Sequence, residues 1–320
     1  LRRSAIIVTG AAGQLGRELL QSLAPLGEVH GIIRTPSQLP ALANCTAIDL
    51  TDTVAIARLI EQVQPKLVVN AAAYTAVDDA ESHIDDARKI NVELPAALAE
   101  ACKQCAAPLI HYSTDYVFDG RGERPWQEAD AVSPLNAYGV TKAAGEQAVR
   151  EVTPHHLIVR TSWVYGVQGR NFVKTMLRLG ATKPELKVVR DQFGAPTSAR
   201  VIADITAQMV SQANNDLGRW IETNAGTVHL TCAGETNWHA FAEEIFTMAR
   251  ALGFPLTLQA CRPIATADYP TPARRPSNSR LDNRLLRDRF GLTPPHWQTA
   301  LAQSIEQIVR VVQCDLTKQS

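Results

Sequence analysis

Short apolar runs alternate with amphipathic stretches through the first half of the chain. Ala5-Ile6-Ile7-Val8 reads as a buried strand, and Leu15, Leu19, Leu20 and Leu23 then recur at helical spacing. Further strands are predicted at 29–33, 66–70, 109–113 and 157–161, with one more short strand before Asp49. Helices are predicted over 53–63, 85–106 and 138–151. Such alternation argues for a parallel sheet with helices on both faces. Right-handed crossovers then give a doubly wound, Rossmann-type order.

After Thr161 the pattern loosens. Strands are expected at 185–189, 228–231 and 256–258, and helices at 198–212, 237–252 and 297–312. The run Tyr269-Pro-Thr-Pro-Ala-Arg-Arg-Pro276 is excluded from regular structure, because its prolines break both helix and sheet ladders. The expected architecture is α/β: a doubly wound parallel sheet with a smaller α/β substrate-binding lobe. Residues 1–165 form the dinucleotide-binding domain and 166–320 mainly the lobe, with segments near 195–240 returning to the first domain. There is no internal repeat and no low-complexity linker.

Composition narrows the classes. The 320 residues are 45% hydrophobic and 20% charged, ordinary for a globular protein, and the formal net charge is zero. Nothing favours broad attraction to nucleic acid or a membrane surface. No apolar run reaches the ~18 residues of a membrane span. Only Leu1 to Ser4 precede the first strand, too little for a secretory signal, so a cytoplasmic protein is expected. Of the six cysteines, Cys102 and Cys105 form a lone C-x-x-C inside a helical pattern. Without a second pair they read as plain helix residues rather than metal ligands.

Gly10-Ala-Ala-Gly13-Gln14-Leu15-Gly16 follows a strand and opens a helix. Glycines there permit a tight turn, close approach to a pyrophosphate and close helix–strand packing. The helix N-terminus offers free N–H groups and a positive dipole end to phosphate. An acid on the adenosine ribose marks many NAD sites, but the second strand ends Ile33-Arg34-Thr35. Arg34 therefore suits the 2′-phosphate of NADP, or else is an exposed loop arginine. Small residues in Asn70-Ala71-Ala72-Ala73 let a cofactor pass close to the backbone.

Tyr138-Gly-Val-Thr-Lys142 places a phenol and an ammonium four residues apart, on one face of a helix. Ketone reduction needs a proton donor for the oxygen that gains charge as hydride arrives. A free tyrosine, with a pKa of about 10, is poorly matched to that task. Lys142 is expected to favour the phenolate and lower the pKa of Tyr138. Thr114, at the end of the fifth strand, can polarise a carbonyl. Arg274, Arg275 and Arg280 are candidates for a diphosphate, which arginine forks suit.

The G-x-x-G-x-x-G spacing resembles extended short-chain dehydrogenases. Six further segments extend the resemblance: N-A-A-A-Y-T-A-V-D (70–78), H-Y-S-T-D-Y-V-F (111–118), P-L-N-A-Y-G-V-T-K-A-A-G-E (134–146), R-T-S-W-V-Y-G (160–166), D-Q-F-G-A-P-T (191–197) and Y-P-T-P-A-R-R-P-S-N-S-R-L (269–281). Together these resemble the dTDP-4-dehydrorhamnose reductase family over nearly the whole chain. The resemblance implies NADPH-dependent reduction of a dTDP-4-keto sugar, with NADH as a second cofactor. It implies that Tyr138 is the proton donor, with Lys142 and Thr114 its partners. Gly13, Gln14, Leu15, Ala71, Ala72, Ala73, Tyr112, Tyr138 and Lys142 would meet the cofactor, and Asp49-Leu50 its adenine. Thr114, Asp115 and Trp163 would meet the sugar nucleotide, although Trp163 also suits a core aromatic.

Family members can carry Mg²⁺ on glutamates near a dimer interface. Glu18 matches the first such position, but Arg200 stands where the second would fall, which argues against magnesium here. A homodimer is compatible with the resemblance. A sugar-nucleotide 4,6-dehydratase is disfavoured, because Asp115 is followed by Tyr116 rather than by a glutamate base. Two alternatives stay open: a non-catalytic NADP-binding regulatory subunit, and a reductase of another 4-keto sugar nucleotide.

Overall fold

The computed structural model describes residues 5–35 and 44–318. Leu1 to Ser4 lie outside them. The central sheet has seven strands: β1 Ala5–Thr9, β2 Glu28–Ile33, β3 Asn44–Ala47, β4 Leu67–Asn70, β5 Leu109–Thr114, β6 His156–Thr161 and β7 Gly226–His229. Their order is β7-β6-β5-β4-β1-β2-β3, and every pairing is parallel. The chain reverses direction across the sheet between β1 and β4. A crevice therefore opens outside their carboxyl ends.

Alternation along β1 explains its burial on both sides. Ile6 and Val8 enter one core, while Ile7 enters the other. The Ile7 side is covered by α2 (Thr53–Val63) and α4 (Leu94–Gln104) through Ile56, Ile60, Leu94 and Leu98. α4 continues from the short α3 (Ile84–Arg88) through a π-helical turn, Lys89–Glu93. Next along the chain comes α5 (Ala137–Val152), which packs on α4. On the other face α1 (Gln14–Ser22) lies against α7 (Ala199–Ser211).

The second lobe is built around a parallel pair, Glu185–Val189 with Ala260–Ile264. Its helices are α6 (Phe172–Thr182), α9 (Trp238–Ala251) and α11 (Trp297–Thr317), which pack on one another. One apolar core runs without a break from Ile6 and Val159 to Phe241, Phe246 and Ile305 in these helices. The short helices α8 (Leu217–Asn224) and α10 (Arg284–Phe290) meet through Trp220 and Phe290.

Two expected strands are displaced. No strand forms at 256–258, because the N–H groups of Thr257 and Leu258 both go to the Gly180 carbonyl at the end of α6 (2.9 and 3.0 Å). The ladder forms instead at Ala260–Ile264. The strand expected at 228–231 lies at Gly226–His229. Beyond it, Asn283 takes both backbone groups of Thr231, accepting from its N–H at 3.1 Å and donating to its carbonyl at 2.9 Å. α6, α8 and α10 have no counterpart in the sequence pattern described above.

Candidate active site

The crevice begins at the glycine loop. Gly10 has φ +65°, and a Cβ there would stand 2.8 Å from Ala72 Cα, so the β1 and β4 turns touch backbone to backbone. A Cβ on Gly16 would lie 2.2 Å from the Gly10 carbonyl oxygen, which fixes the close seating of α1 on the loop. Gly13 precedes α1 and no side chain caps it, so the first turn of the helix faces the crevice with N–H groups to offer an anion. The Gln14 amide oxygen accepts from Asn171 Nδ2 at 2.8 Å, tying the loop to the start of α6. Leu15 is partly buried against the core. These residues fit a dinucleotide: the cradle is one that added side chains would fill.

Further along the edge, a cavity of about 600 Å³ is lined by Arg34, Asp49, Leu50, Ala73 and Lys89, among others. The adenosine-end candidates are thus brought together. The N–H and hydroxyl of Thr51, and more weakly Arg34, hold the Asp49 carboxyl below its ordinary range. The turn Ala71-Ala72-Ala73 is fixed from below. Asn70 Oδ1 accepts from Thr9 Oγ1 (2.6 Å) and from the Ala72 N–H (3.2 Å), while Asn70 Nδ2 lies 2.9 Å from His111 Nδ1.

α5 carries Tyr138 and Lys142 into the same crevice, opposite Thr114 at the end of β5. Asn136 caps the helix by accepting from the Gly139 N–H at 2.8 Å. The expectation that Lys142 lowers the pKa of Tyr138 is corrected. Burial pushes the phenol well above its ordinary range, and the Thr114 hydroxyl offsets this only in part. Lys142 is 2% exposed, and its Nζ donates to the Tyr112 carbonyl at 2.7 Å. Burial draws its pKa down to about 8, against the opposing charge of Glu146. Desolvation penalises the charged form of both groups. Tyr138 is therefore a neutral phenol, the form a proton donor needs.

The other expected contacts divide. The Tyr112 ring is in the core and its hydroxyl hydrogen-bonds to Thr206 on α7 (2.6 Å), so only its backbone carbonyl faces Lys142. Asp115 is buried beside Thr114, whose Oγ1 donates to it at 3.1 Å. Burial raises its pKa to about 7, with Ser279 and Thr114 opposing.

Trp163 sits in the left-handed region at φ 48°, an outlier for a bulky residue. Trp238 stacks on its ring at 3.5 Å. A Cβ on Gly194 would meet Trp163 Cε2 at 2.7 Å, with the two neighbouring ring atoms at 3.0 and 3.1 Å. Those near-equal distances put Gly194 over a ring face, and Trp238 already fills the other. Trp163 therefore presents an edge rather than a face.

Arg275 pairs with Asp78 at 2.6 Å and lines a cavity of about 410 Å³ between the lobes, together with Tyr116, Phe172, Gln192 and Trp238. Arg280 is set apart, held by Glu235 at 2.6 Å and lying over the Phe193 ring at 4.6 Å. Arg274 is exposed, and its carbonyl accepts from Asn136 at 2.8 Å.

Several residues of the crevice were not singled out by the sequence, although Asp78, Gln192 and Glu146 lie within the segments 70–78, 191–197 and 134–146 that carry the resemblance. The π turn presents Asn91, whose Oδ1 accepts from the Tyr74 N–H (2.9 Å) and whose Nδ2 donates to Thr141 Oγ1 (3.1 Å). Asp78, Gln192 and Trp238 come from loops and from the second lobe, which no spacing ties to the Tyr138 helix. Glu146 was visible in principle, one helical turn beyond Lys142.

Glu18 lies 3.6 Å from Arg200, which also pairs with Asp204 at 2.8 Å. Burial raises the Glu18 pKa and Arg200 opposes it. Among the described residues no group of three or more His, Cys, Asp or Glu is arranged to hold a metal ion. Both Cys102 and Cys105 are buried and reduced. None of the described helices is long and apolar enough to cross a membrane.

The family described as "RmlD substrate binding domain" matches residues 4–310. dTDP-4-dehydrorhamnose reductase of Escherichia coli K12 is 43% identical over 303 residues, covering 95% of this chain and 97% of its own. That of Burkholderia thailandensis is 44% identical over 306 residues, covering 95% and 99%. Among solved structures, dTDP-4-dehydrorhamnose reductase of Clostridium acetobutylicum superposes with a TM-score of 0.81 at 39% identity, covering 94% of this chain and 98% of its own. The Bacillus anthracis enzyme in complex with NADP gives 0.80 at 33% identity, covering 95% and 99%. With matches that span nearly the full length of both partners, this chain belongs to the dTDP-4-dehydrorhamnose reductase family.

Proposed function

We propose that the protein reduces the 4-keto group of dTDP-4-dehydro-L-rhamnose to give dTDP-L-rhamnose, a step of nucleotide-sugar and surface-polysaccharide biosynthesis. The observation that carries this reading is the meeting of Thr114, Tyr138 and Lys142 at the carboxyl edge of a glycine-loop sheet, beside a cleft between the lobes. NADPH, when bound, supplies the hydride; NADH is a second donor. The loop Gly10 to Gly16 receives the pyrophosphate, with Ala71, Ala72, Ala73 and the Tyr112 carbonyl along its path. Arg34, Asp49 and Leu50 hold the adenosine end.

Thr114 hydrogen-bonds to the keto oxygen and polarises it. Tyr138 gives its proton to that oxygen as negative charge develops, and the Lys142 cation stabilises the tyrosinate left behind. The net change is one hydride to carbon and one proton to oxygen. Asp115 and the edge of Trp163 orient the sugar. Arg275 is the best placed of the three arginines for the diphosphate, while Arg274 and Arg280 would have to turn inward. By this reading residues 1–165 bind cofactor and most of 166–320 binds substrate, with β7 and α7 serving the first domain. The enzyme acts in the cytoplasm, without a resident Mg²⁺, alone or as a homodimer.

The test is NADPH oxidation with the keto sugar nucleotide, followed by its absorbance. Turnover that yields dTDP-L-rhamnose is expected. No oxidation above the rate without sugar, by protein shown to bind both ligands, would overturn the reading.

A further inference from the structure

α5 carries more than the Tyr138–Lys142 pair. Tyr138, Lys142, Glu146 and Arg150 stand at successive intervals of four and so form one stripe along the helix. Glu146 is completely buried, yet it is ionised. It accepts a fork from Arg160 on β6, Nε to Oε1 at 2.8 Å and NH2 to Oε2 at 2.7 Å, and a third bond from Arg150 at 2.7 Å. Arg160 is itself buried, over the ring of Phe118 at 5.0 Å.

We propose that Glu146 is a positioning residue of the active site: a buried carboxylate, clamped by two arginines, whose charge keeps Lys142 cationic in the cleft. The inference rests on the reading of Lys142 given above. Lys142 has lost its water and gained one backbone carbonyl, a setting that favours the neutral amine. The groups around the stripe do little to reverse this. On β5 the neighbour is His111, and on β6 it is His156; burial lowers the pKa of both, so both are neutral. Beyond Arg160, His229 on β7 is neutral too, its pKa brought to about 3 chiefly by burial. Glu128 accepts from the His229 N–H at 2.8 Å, and the charge that acts on its carboxyl from around this stripe is that of Arg160. Tyr138 is a neutral phenol. Among the described residues Glu146 is the anion that acts on Lys142.

The arginines give the arrangement its stability. Burial works against the Glu146 charge, but the hydrogen bonds and charge of Arg160, aided by the Ser113 hydroxyl and then by Arg150, outweigh it and hold the pKa at about 2. The carboxylate is thus ionised throughout the range in which Lys142 titrates. Its oxygens are occupied by guanidinium groups, so it acts on Lys142 through space and leaves the ammonium free to face the cleft.

The experiment is the pH dependence of kcat/KM, which reports the free enzyme, with the pH dependence of NADPH binding as a second readout. Glu146→Gln is expected to move the alkaline limb down by about one pH unit, the scale of one nearby charge at intermediate dielectric. Because that change leaves Arg160 buried without a partner, Glu146→Gln/Arg160→Met keeps the test alive if the single variant fails to fold; it is measured against Arg160→Met alone, from which it differs only by the Glu146 charge, and its limb is expected about one unit lower. Arg150→Met, at a half-exposed position, is expected to move the limb upward by about half a unit, since it removes a competing cation. Opposite shifts are the signature that a merely structural role would not produce. A limb of the double variant that coincides with that of Arg160→Met, or shifts of the same sign in Glu146→Gln and Arg150→Met, would overturn the proposal. Normal turnover by Lys142→Met would instead remove Lys142 from its role, and the proposal with it.

Discussion

Gly145→Ala is the most informative single change outside the chemistry. On an ordinary helix, replacing glycine by alanine stabilises by about 1 kcal/mol. Here the added Cβ would stand 1.9 Å from the Asn91 carbonyl oxygen and 3.1 Å from its carbon. The obstacle is backbone within the π turn, so no side chain can swing away. To pass from 1.9 Å to even a tight 3.0 Å, α5 must retreat from the π turn by more than an ångström. Overpacking of this kind costs about 1–3 kcal/mol, and a rigid neighbour puts it at the upper end. The net is about 2 kcal/mol of destabilisation, or a melting point lower by roughly 3 °C in a chain of 320 residues. The displaced helix is the one that carries Tyr138 and Lys142. Misplacement by an ångström typically costs about a hundredfold in rate. Thermal melts and kcat on the same preparation test both parts. A variant as stable as wild type, with unchanged turnover, would refute the reasoning.

Tyr138→Phe is expected to fold and bind NADPH while losing about 10²–10⁴ in turnover, the usual cost of removing an acid–base group; near-normal kcat would remove Tyr138 from the proton-donor role. Arg34→Ala is expected to weaken NADPH binding about tenfold or more, as for a lost charged hydrogen bond, and to leave NADH nearly untouched. Equal losses for both cofactors in calorimetry would show that Arg34 does not read the phosphate. EDTA is expected to leave activity unchanged, because Arg200 supplies the positive charge between Glu18 and Asp204. Loss of activity on chelation, restored by Mg²⁺, would contradict this.

What the sequence made legible was local. The strand runs of the first half and the glycine spacing are set by the period of a strand and the steric needs of a turn, and these act over a few residues. The helix expected at about 53–63 is found at Thr53–Val63, where Asp52 caps it through the Ala55 N–H and Gln64 ends it in the left-handed region. The failures are tertiary. Leu256-Thr257-Leu258 has strand composition, but its N–H groups are claimed by the Gly180 carbonyl. The titration of Tyr138 was misjudged for the same reason. Spacing gives Lys142 as a neighbour, whereas burial, which spacing does not report, dominates both groups. Trp163 could be named from the sequence as a candidate, but its stacking partner Trp238 could not, since it lies 75 positions away by sequence number and joins it only when the second lobe folds back.

α5 also explains why so many of the proposed catalytic features share one helix. A row of residues four apart can set the spacing of phenol, ammonium, carboxylate and guanidinium, but it cannot set where the helix sits. That falls to its glycines. A Cβ on Gly139 would stand 2.2 Å from the Tyr116 carbonyl, as one on Gly145 would meet Asn91. The helix therefore touches backbone at two points, one near the Thr114–Tyr116 turn and one at the π turn. Between them lies Thr141, whose hydroxyl accepts from Asn91 Nδ2 at 3.1 Å. Backbone contacts are stiffer than side-chain contacts, because they cannot relax by changing rotamer. The position of Tyr138 against Thr114 is therefore fixed by glycines that meet only protein backbone and proline rings. Substitutions at Gly139 and Gly145 belong with those at Tyr138 in any account of turnover.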